Sequence, residues 1–256
     1  MSAPLIVRQD DLQSFVARAK ASPVLALDTE FVWTRTYYAG LGLIQAATLD
    51  ETVLIDPLAV TDLSPLRTLN ESPDIVKIFH DPEMDLPILA RGGCGRARNV
   101  FDTRTSAGFG GLPSIWSLGK LLCELTGIDL PKTEARTDWL ARPLSDKQLS
   151  YAADDVHHMA RMRDLLLQRA RERGNEAWLN EEMLRWEQES LYADRDPRKA
   201  FRSVKGMGRL KHRQKAVLRE LAAWRETTGK EHDITRNRIM RDEILLIVAN
   251  FSPTTD

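Results

Sequence analysis

Residues 25–31 read LALDTEF, an apolar run carrying two acids, Asp28 and Glu30, two positions apart. Side chains alternate faces along a strand, so this spacing puts both carboxylates on the same side. Two acids pointing the same way from a buried strand repel each other and are costly unless a cation compensates them. The opposing reading is a strand that ends early, with both acids solvated at its tip, because a three-residue DxE pattern is short and common.

Outward from this segment the chain reads as strands first, then helices. Leu12, Phe15, Val16 and Ala19 recur at helical spacing over Asp11–Lys20. The central strand, Val24–Phe31, is followed by strand-like Leu41–Thr48 and Thr52–Ile55. Their connections are too short for helical crossovers, so neighbours are expected to pair antiparallel. Leu49–Asp50–Glu51 fits a hairpin turn. A fourth strand, Ile75–Phe79, leads into a helix with Asp81 expected as N-cap and Pro82 at its first position. A short fifth strand near Asn99–Phe101 follows. Helices are expected over Ile115–Thr126, Ser145–Arg173 and Glu176–Tyr192. Ser145 with Gln148 makes a capping box, and Gly127 and Gly174 are helix stops. The class is a mixed α/β sheet with flanking helices. The link Ala193–Gly208, with Pro197, Gly206 and Gly208, sets a boundary between a first domain, 1–193, and a second, 194–256. In the latter, Leu210–Thr227 and Asp242–Asn250 read as helices.

Charge supports that division. The 256 residues carry 36 basic and 37 acidic side chains, a net charge of −1. From Asp194 onward there are 15 basic against nine acidic residues, leaving 21 against 28 before it. Arg195–Arg219 holds ten basic residues and a single acid, Asp196. Such a run is either a solvated helix face or an electrostatic footprint for a polyanion. The longest apolar run, near Ile244–Phe251, is far short of a membrane span, and MSAPLIVRQDDL is too briefly apolar for a signal peptide. Two cysteines, Cys94 and Cys123, exclude a disulfide framework and a cysteine-rich zinc site. A cytoplasmic protein with no membrane partner and no obligate protein partner is expected.

Two further segments add chemistry. Asp85 lies in HDPEMDLPIL at the start of a helix, whose positive end favours its ionised form. In YAADD, Tyr151 and Asp155 are four apart and share a helix face, while Asp154 points elsewhere. Singly, each of these is ordinary helix surface. Together, four carboxylates converging on one cleft form an all-oxygen donor set for two hard divalent cations, Mg²⁺ or Mn²⁺. A pair of such ions activates water for in-line phosphodiester displacement. A tyrosine hydroxyl, with a free pKa near 10, orients that water without titrating.

The segments ALDTEFVWTRTYYAGLGLIQ, KIFHDPEMDLPIL and LPKTEARTDWLARPLSDKQLSYAADDV resemble the ribonuclease D family, DEDD exonucleases with a tyrosine-type third motif. The likeness covers Ile6 to about Arg173. Ser150 stands where the histidine-type branch places its histidine, and Tyr151 fits the tyrosine branch. The resemblance implies a ribonuclease H-like fold with metal ligands Asp28, Glu30, Asp85 and Asp155, and Tyr151 positioning the nucleophilic water. It also implies 3′→5′ exoribonuclease action on RNA with a free 3′ end, releasing nucleoside 5′-monophosphates and trimming tRNA precursors. Phe201–Phe251 is similar to the small all-α HRDC domain that follows the nuclease in this family. Lys199, Arg202, Lys205, Arg209, Lys211 and Arg213 then become expected phosphate contacts. Family members usually run well beyond this point, so the helical domain is expected to be incomplete.

Lys132, Arg136 and Trp139 precede the third motif, and Arg35 and Tyr37 follow the first; either group lines an RNA cleft or simply packs. Gly119–Lys120 is no P-loop, since Leu121 replaces the hydroxyl residue, and Gly206–Met207–Gly208 follows no strand. A DNA exonuclease on the same core and a catalytically idle RNA-binding protein are the alternatives. A 2′-hydroxyl contact would separate the first, and the intact acid set argues against the second.

Overall fold

The computed structural model describes residues 3–33, 36–130 and 137–251. Strands β1 (Leu5–Ile6), β2 (Val24–Val32), β3 (Gly40–Ala47), β4 (Thr52–Ile55), β5 (Val76–Phe79) and β6 (Val100–Asp102) form one six-stranded sheet in the order β1-β4-β3-β2-β5-β6. β2 is therefore interior, with a neighbour on each side. β3 and β4 pair antiparallel, as the short link requires, and Thr48 N–H donates to the Glu51 carbonyl at 2.9 Å to close the turn. β2, β5 and β6 run parallel, with the helical segment Asp85–Leu89 in the connection from β5 to β6. Helix α1 (Gln9–Ala19) buries Leu12, Phe15, Val16 and Ala19, the stripe its spacing predicts.

Several boundaries differ from the sequence expectation. β1 is two residues long and lies parallel to β4; so short a strand has no visible period. A four-residue helix, α2 (Arg67–Asn70), precedes β5. Asp81 is not a helix N-cap. Its φ is +65°, whereas an N-cap is extended, and its carboxylate pairs with Arg104 while its N–H donates to Asp102 at 2.9 Å. The helix starts four residues later, as α3 (Asp85–Leu89). Asp102 itself caps α4 (Thr103–Phe109), accepting from the N–H groups of Arg104 and Thr105. α5 (Leu118–Thr126) ends at Gly127, φ +76°, where a side chain would be strained.

The long helix expected over Ser145–Arg173 is two: α6 (Asp146–His157) and α7 (Met159–Glu172), separated at His158 (φ −97°, ψ −4°). Neither glycine nor proline marks that break. The capping box holds, with Ser145 N–H donating to Gln148 Oε1 at 3.0 Å. α7 buries Met159, Met162, Leu166 and Ala170. The segment expected as one last helix divides into α8 (Glu176–Met183), a 3₁₀ turn at Leu184–Glu187 that buries Trp186, and α9 (Glu189–Tyr192).

The chain forms two compact units. One comprises the chain up to Phe31 and from Leu41 to Tyr192; the other begins at Ala193 and also takes Val32–Gly40. The second unit contains α10 (His212–His232), α11 (Arg236–Ile239) and α12 (Asp242–Phe251). Val204, Leu218, Leu245 and Ala249 form its small apolar core. Beside that core, Arg225 is 2% exposed and donates to Asp242 and to the Met240 carbonyl, each at 2.8 Å.

Candidate active site

β2 ends in the acids of LALDTEF, and α6 brings up the third motif. Oxygens of Asp28, Glu30 and Asp155 all lie within 4.8 Å of one another. Tyr151 lies one turn before Asp155, its hydroxyl near enough to that carboxylate to favour the ionised form. Asp85, 7% exposed at the start of α3, accepts from the Thr29 hydroxyl, so the residue between the two acids of β2 carries the link to the second motif.

The electrostatics of this cluster are unfavourable without a cation. Burial, then the charges of Asp85, Asp155 and Glu30, push Asp28 well above the ordinary carboxylate range. Glu30 is pushed up to about 8, first by burial and then by Asp155 and Asp85. Burial raises Asp155 to about 7 against the lowering effect of the Tyr151 hydrogen bond. Burial also raises Asp85 to about 6, opposed by its bonds from Thr29. Tyr151 is raised, by burial and then by the charge of Asp155, so it keeps its proton at any physiological pH. Half-buried carboxylates that repel one another and supply only oxygens suit hard divalent cations.

Two supports are invisible to periodicity. Trp139, expected as an RNA contact, is 2% exposed and cannot offer a face to a base. Its ring centroid lies 6.3 Å from that of Tyr151, so it backs the tyrosine instead. Gly42 of β3 makes room for it: a Cβ there would stand 2.6 Å from the Trp139 carbonyl oxygen. Arg142 ties this segment down. Its Nε and Nη2 both reach Asp56 at 2.7 Å, and it also donates to the carbonyls of Gly42, Trp139 and Ala141.

Tyr37, expected at a cleft mouth, belongs to the helical unit. Its hydroxyl donates to Glu226 at 2.7 Å, and its ring packs where a Cβ on Gly229 would intrude. Lys199, Arg202, Lys205, Arg209, Lys211 and Arg213 are all exposed in that unit, on 3₁₀ turns and the start of α10. Arg35, Lys132 and Arg136 lie outside the described residues. Thr29 and Arg142 were not anticipated from the sequence; the only signal for Thr29 was its place between two acids.

Fold and carboxylate set together define a nuclease domain of the 3′–5′ exonuclease class, and the family described as 3'-5' exonuclease matches residues 5–170. The HRDC domain family matches residues 214–256. Ribonuclease D of Desulfotalea psychrophila is 39% identical over 251 residues, 98% of this chain and 67% of that protein. The crystal structure of Escherichia coli RNase D, described as an exoribonuclease involved in structured RNA processing, matches with a TM-score of 0.90 at 37% identity. That match covers 100% of this chain and 68% of that one. The catalytic core of RRP6 from Trypanosoma brucei, 25% identical, matches with a TM-score of 0.78, over 99% of this chain and 71% of that one. The chain belongs to the ribonuclease D family of exoribonucleases and spans about two thirds of the length of its curated relatives. Among the described residues no helix is long and apolar enough to cross a membrane.

Proposed function

We propose that this chain is a metal-dependent 3′→5′ exoribonuclease that hydrolyses terminal phosphodiester bonds, releases nucleoside 5′-monophosphates and trims the 3′ ends of tRNA precursors. The observation that carries the reading is the convergence of Asp28, Glu30 and Asp155 within 4.8 Å, in surroundings that make three uncompensated charges costly. Asp28, Glu30, Asp155 and the nearby Asp85 would hold two divalent ions, Mg²⁺ or Mn²⁺. Such ions, when bound, lower the pKa of a coordinated water and stabilise the leaving oxygen.

The chain's own residues supply position and water control. The Thr29 hydroxyl fixes one oxygen of Asp85. Tyr151, protonated and backed by Trp139, holds its hydroxyl beside Asp155, where it can orient the attacking water. The exposed cations Lys199, Arg202, Lys205, Arg209, Lys211 and Arg213 would meet RNA phosphates without reading sequence. A cytoplasmic site of action fits the free thiols of Cys94 and exposed Cys123.

The test is a 5′-labelled tRNA precursor with a 3′ extension, incubated with Mg²⁺, with Mn²⁺ and with chelator. A ladder shrinking from the 3′ end only with metal is expected. Intact RNA that still shifts on a native gel would make the chain a binding protein. Asp155→Asn should abolish turnover while largely sparing RNA binding; an unchanged rate would refute the site.

A further inference from the structure

Between α4 and α5 the loop Leu112–Ser117 presents Ile115, which is 80% exposed. A single exposed aliphatic residue means little alone. Here the loop is pinned on both sides of it. Arg104 Nε donates to the Ser114 carbonyl at 2.9 Å, and His80 Nε2 lies 3.2 Å from the Trp116 carbonyl oxygen. The other ring nitrogen of His80 lies 2.9 Å from Thr103 Oγ1. These pins locate the loop at the acidic end of the sheet. Ala26 of β2 pairs with Ile78 of β5, and Ile78 pairs with Phe101 of β6, all parallel. His80 follows directly on β5 and Thr103 directly on β6, at the C-terminal end of these parallel strands, the end toward which β2 carries Asp28 and Glu30. The residue that hooks the loop therefore lies at the same end of the sheet as the acids of the site.

Chemistry completes the picture. Trp116 adjoins Ile115, and the Lys120 ammonium sits 4.6 Å from its ring centroid. An exposed aliphatic side chain, a half-buried aromatic ring beside it and a cation at the start of α5 are groups that a single-stranded nucleic acid engages, bases by apolar packing and phosphates by charge.

We propose that the Leu112–Ser117 loop is a base-stacking platform for the unpaired 3′ end of the RNA substrate, with a base packed on Ile115 beside Trp116 and Lys120 near the adjoining phosphate. The inference rests on the nuclease reading above and adds to it the part of the substrate that this loop grips. Because stacking does not distinguish bases, the platform would serve any single-stranded 3′ end and disfavour a paired one.

Binding is measured on the full chain in chelator, so that nothing is cut. The probe is a short single-stranded RNA carrying 2-aminopurine at one of its last three positions. Wild type is expected to change the emission of the fluorophore at one of those positions. Ile115→Ser should abolish that change and weaken affinity about fivefold or more, what the loss of one to two buried methylenes removes. An abasic nucleotide at that position should weaken wild type equally and Ile115→Ser no further. An affinity for Ile115→Ser within twofold of wild type, or the same penalty on abasic RNA, would overturn the proposal and leave the loop to some other partner. Thermal melting of Ile115→Ser should match wild type, since the side chain is exposed. Metal-dependent cleavage is scored separately, so a chain that stacks RNA but never cuts it refutes the nuclease reading and not the platform.

Discussion

Replacing Arg142 by alanine should cost more stability than any other exposed-to-half-buried arginine in the nuclease unit. The guanidinium forks onto Asp56 through two 2.7 Å bonds, and Asp56 has only 6% of its side chain exposed. Removing one partner leaves a buried carboxylate without its counter-charge, a loss of about 3–5 kcal/mol. For a domain of this size that lowers Tm by roughly 6–20 °C. Arg142→Lys should recover only part of it, because an ammonium cannot fill a bidentate fork. The effect has a pH signature. Burial pushes Asp56 up, but the Arg142 fork and the Leu58 N–H outweigh it and hold the carboxyl below its ordinary value. Its contribution is therefore present above the unfolded pKa, about 3.9, and is lost as pH falls through the folded one. Urea unfolding of wild type and Arg142→Ala should differ by the full amount at neutral pH, and the difference should shrink once pH falls below the ordinary carboxylate value. A neutral-pH difference under about 1 kcal/mol, the worth of a surface pair, would refute the argument. So would a difference that does not shrink on acidification.

Gly42→Ala drives a Cβ to 2.6 Å from the Trp139 carbonyl oxygen, a backbone atom that cannot swing aside. We expect a destabilisation of about 1–3 kcal/mol together with slower turnover, both read in the same preparation. Thr29→Val keeps the shape of β2 but removes the hydroxyl that holds Asp85. Mn²⁺ titration should show affinity weakened about 10- to 100-fold, and unchanged affinity would deny Thr29 its positioning role. In chelator the cluster acids, with folded pKa values of about 8 for Glu30, about 7 for Asp155 and about 6 for Asp85, hold protons that the unfolded chain has released. Metal-free stability should therefore fall as pH rises from about 4 to 8, and saturating Mg²⁺ should flatten that slope. A metal-free Tm that rises across this window would contradict the burial of the cluster.

Legibility in the sequence followed how local each feature is. Asp28 and Glu30 were readable because a strand has period 2 and both acids interrupt an apolar run. Tyr151 and Asp155 were readable because four residues make one helical turn. The antiparallel β3–β4 pair followed from a link too short for anything else, and the Ser145 capping box from its own spacing. Asp81 was misread for a related reason: Asp-Pro is a local helix signal, and a distant Arg104 and Asp102 overrode it. The sequence leaves Trp139 open, because an aromatic residue near a basic stretch looks the same whether it faces RNA or the interior. What decides it is Gly42, almost a hundred positions upstream, whose missing side chain lets the Trp139 backbone and Cβ approach the sheet.

The four motif residues do not by themselves make the site. Three of their carboxylates meet within 4.8 Å, while the fourth, Asp85, is placed through Thr29, whose side chain no acid-counting argument would select. Tyr151 depends likewise on Trp139, and Trp139 on the Arg142–Asp56 fork. A cluster of like charges has no stable arrangement of its own; it must be imposed by surroundings whose contacts are worth more than the repulsion. Those surroundings here are a buried ion pair, a glycine and a hydroxyl, each acting across a long stretch of chain. The motif therefore predicts which atoms meet, and the long-range contacts determine how firmly they are held, which is the quantity that metal affinity and turnover will report.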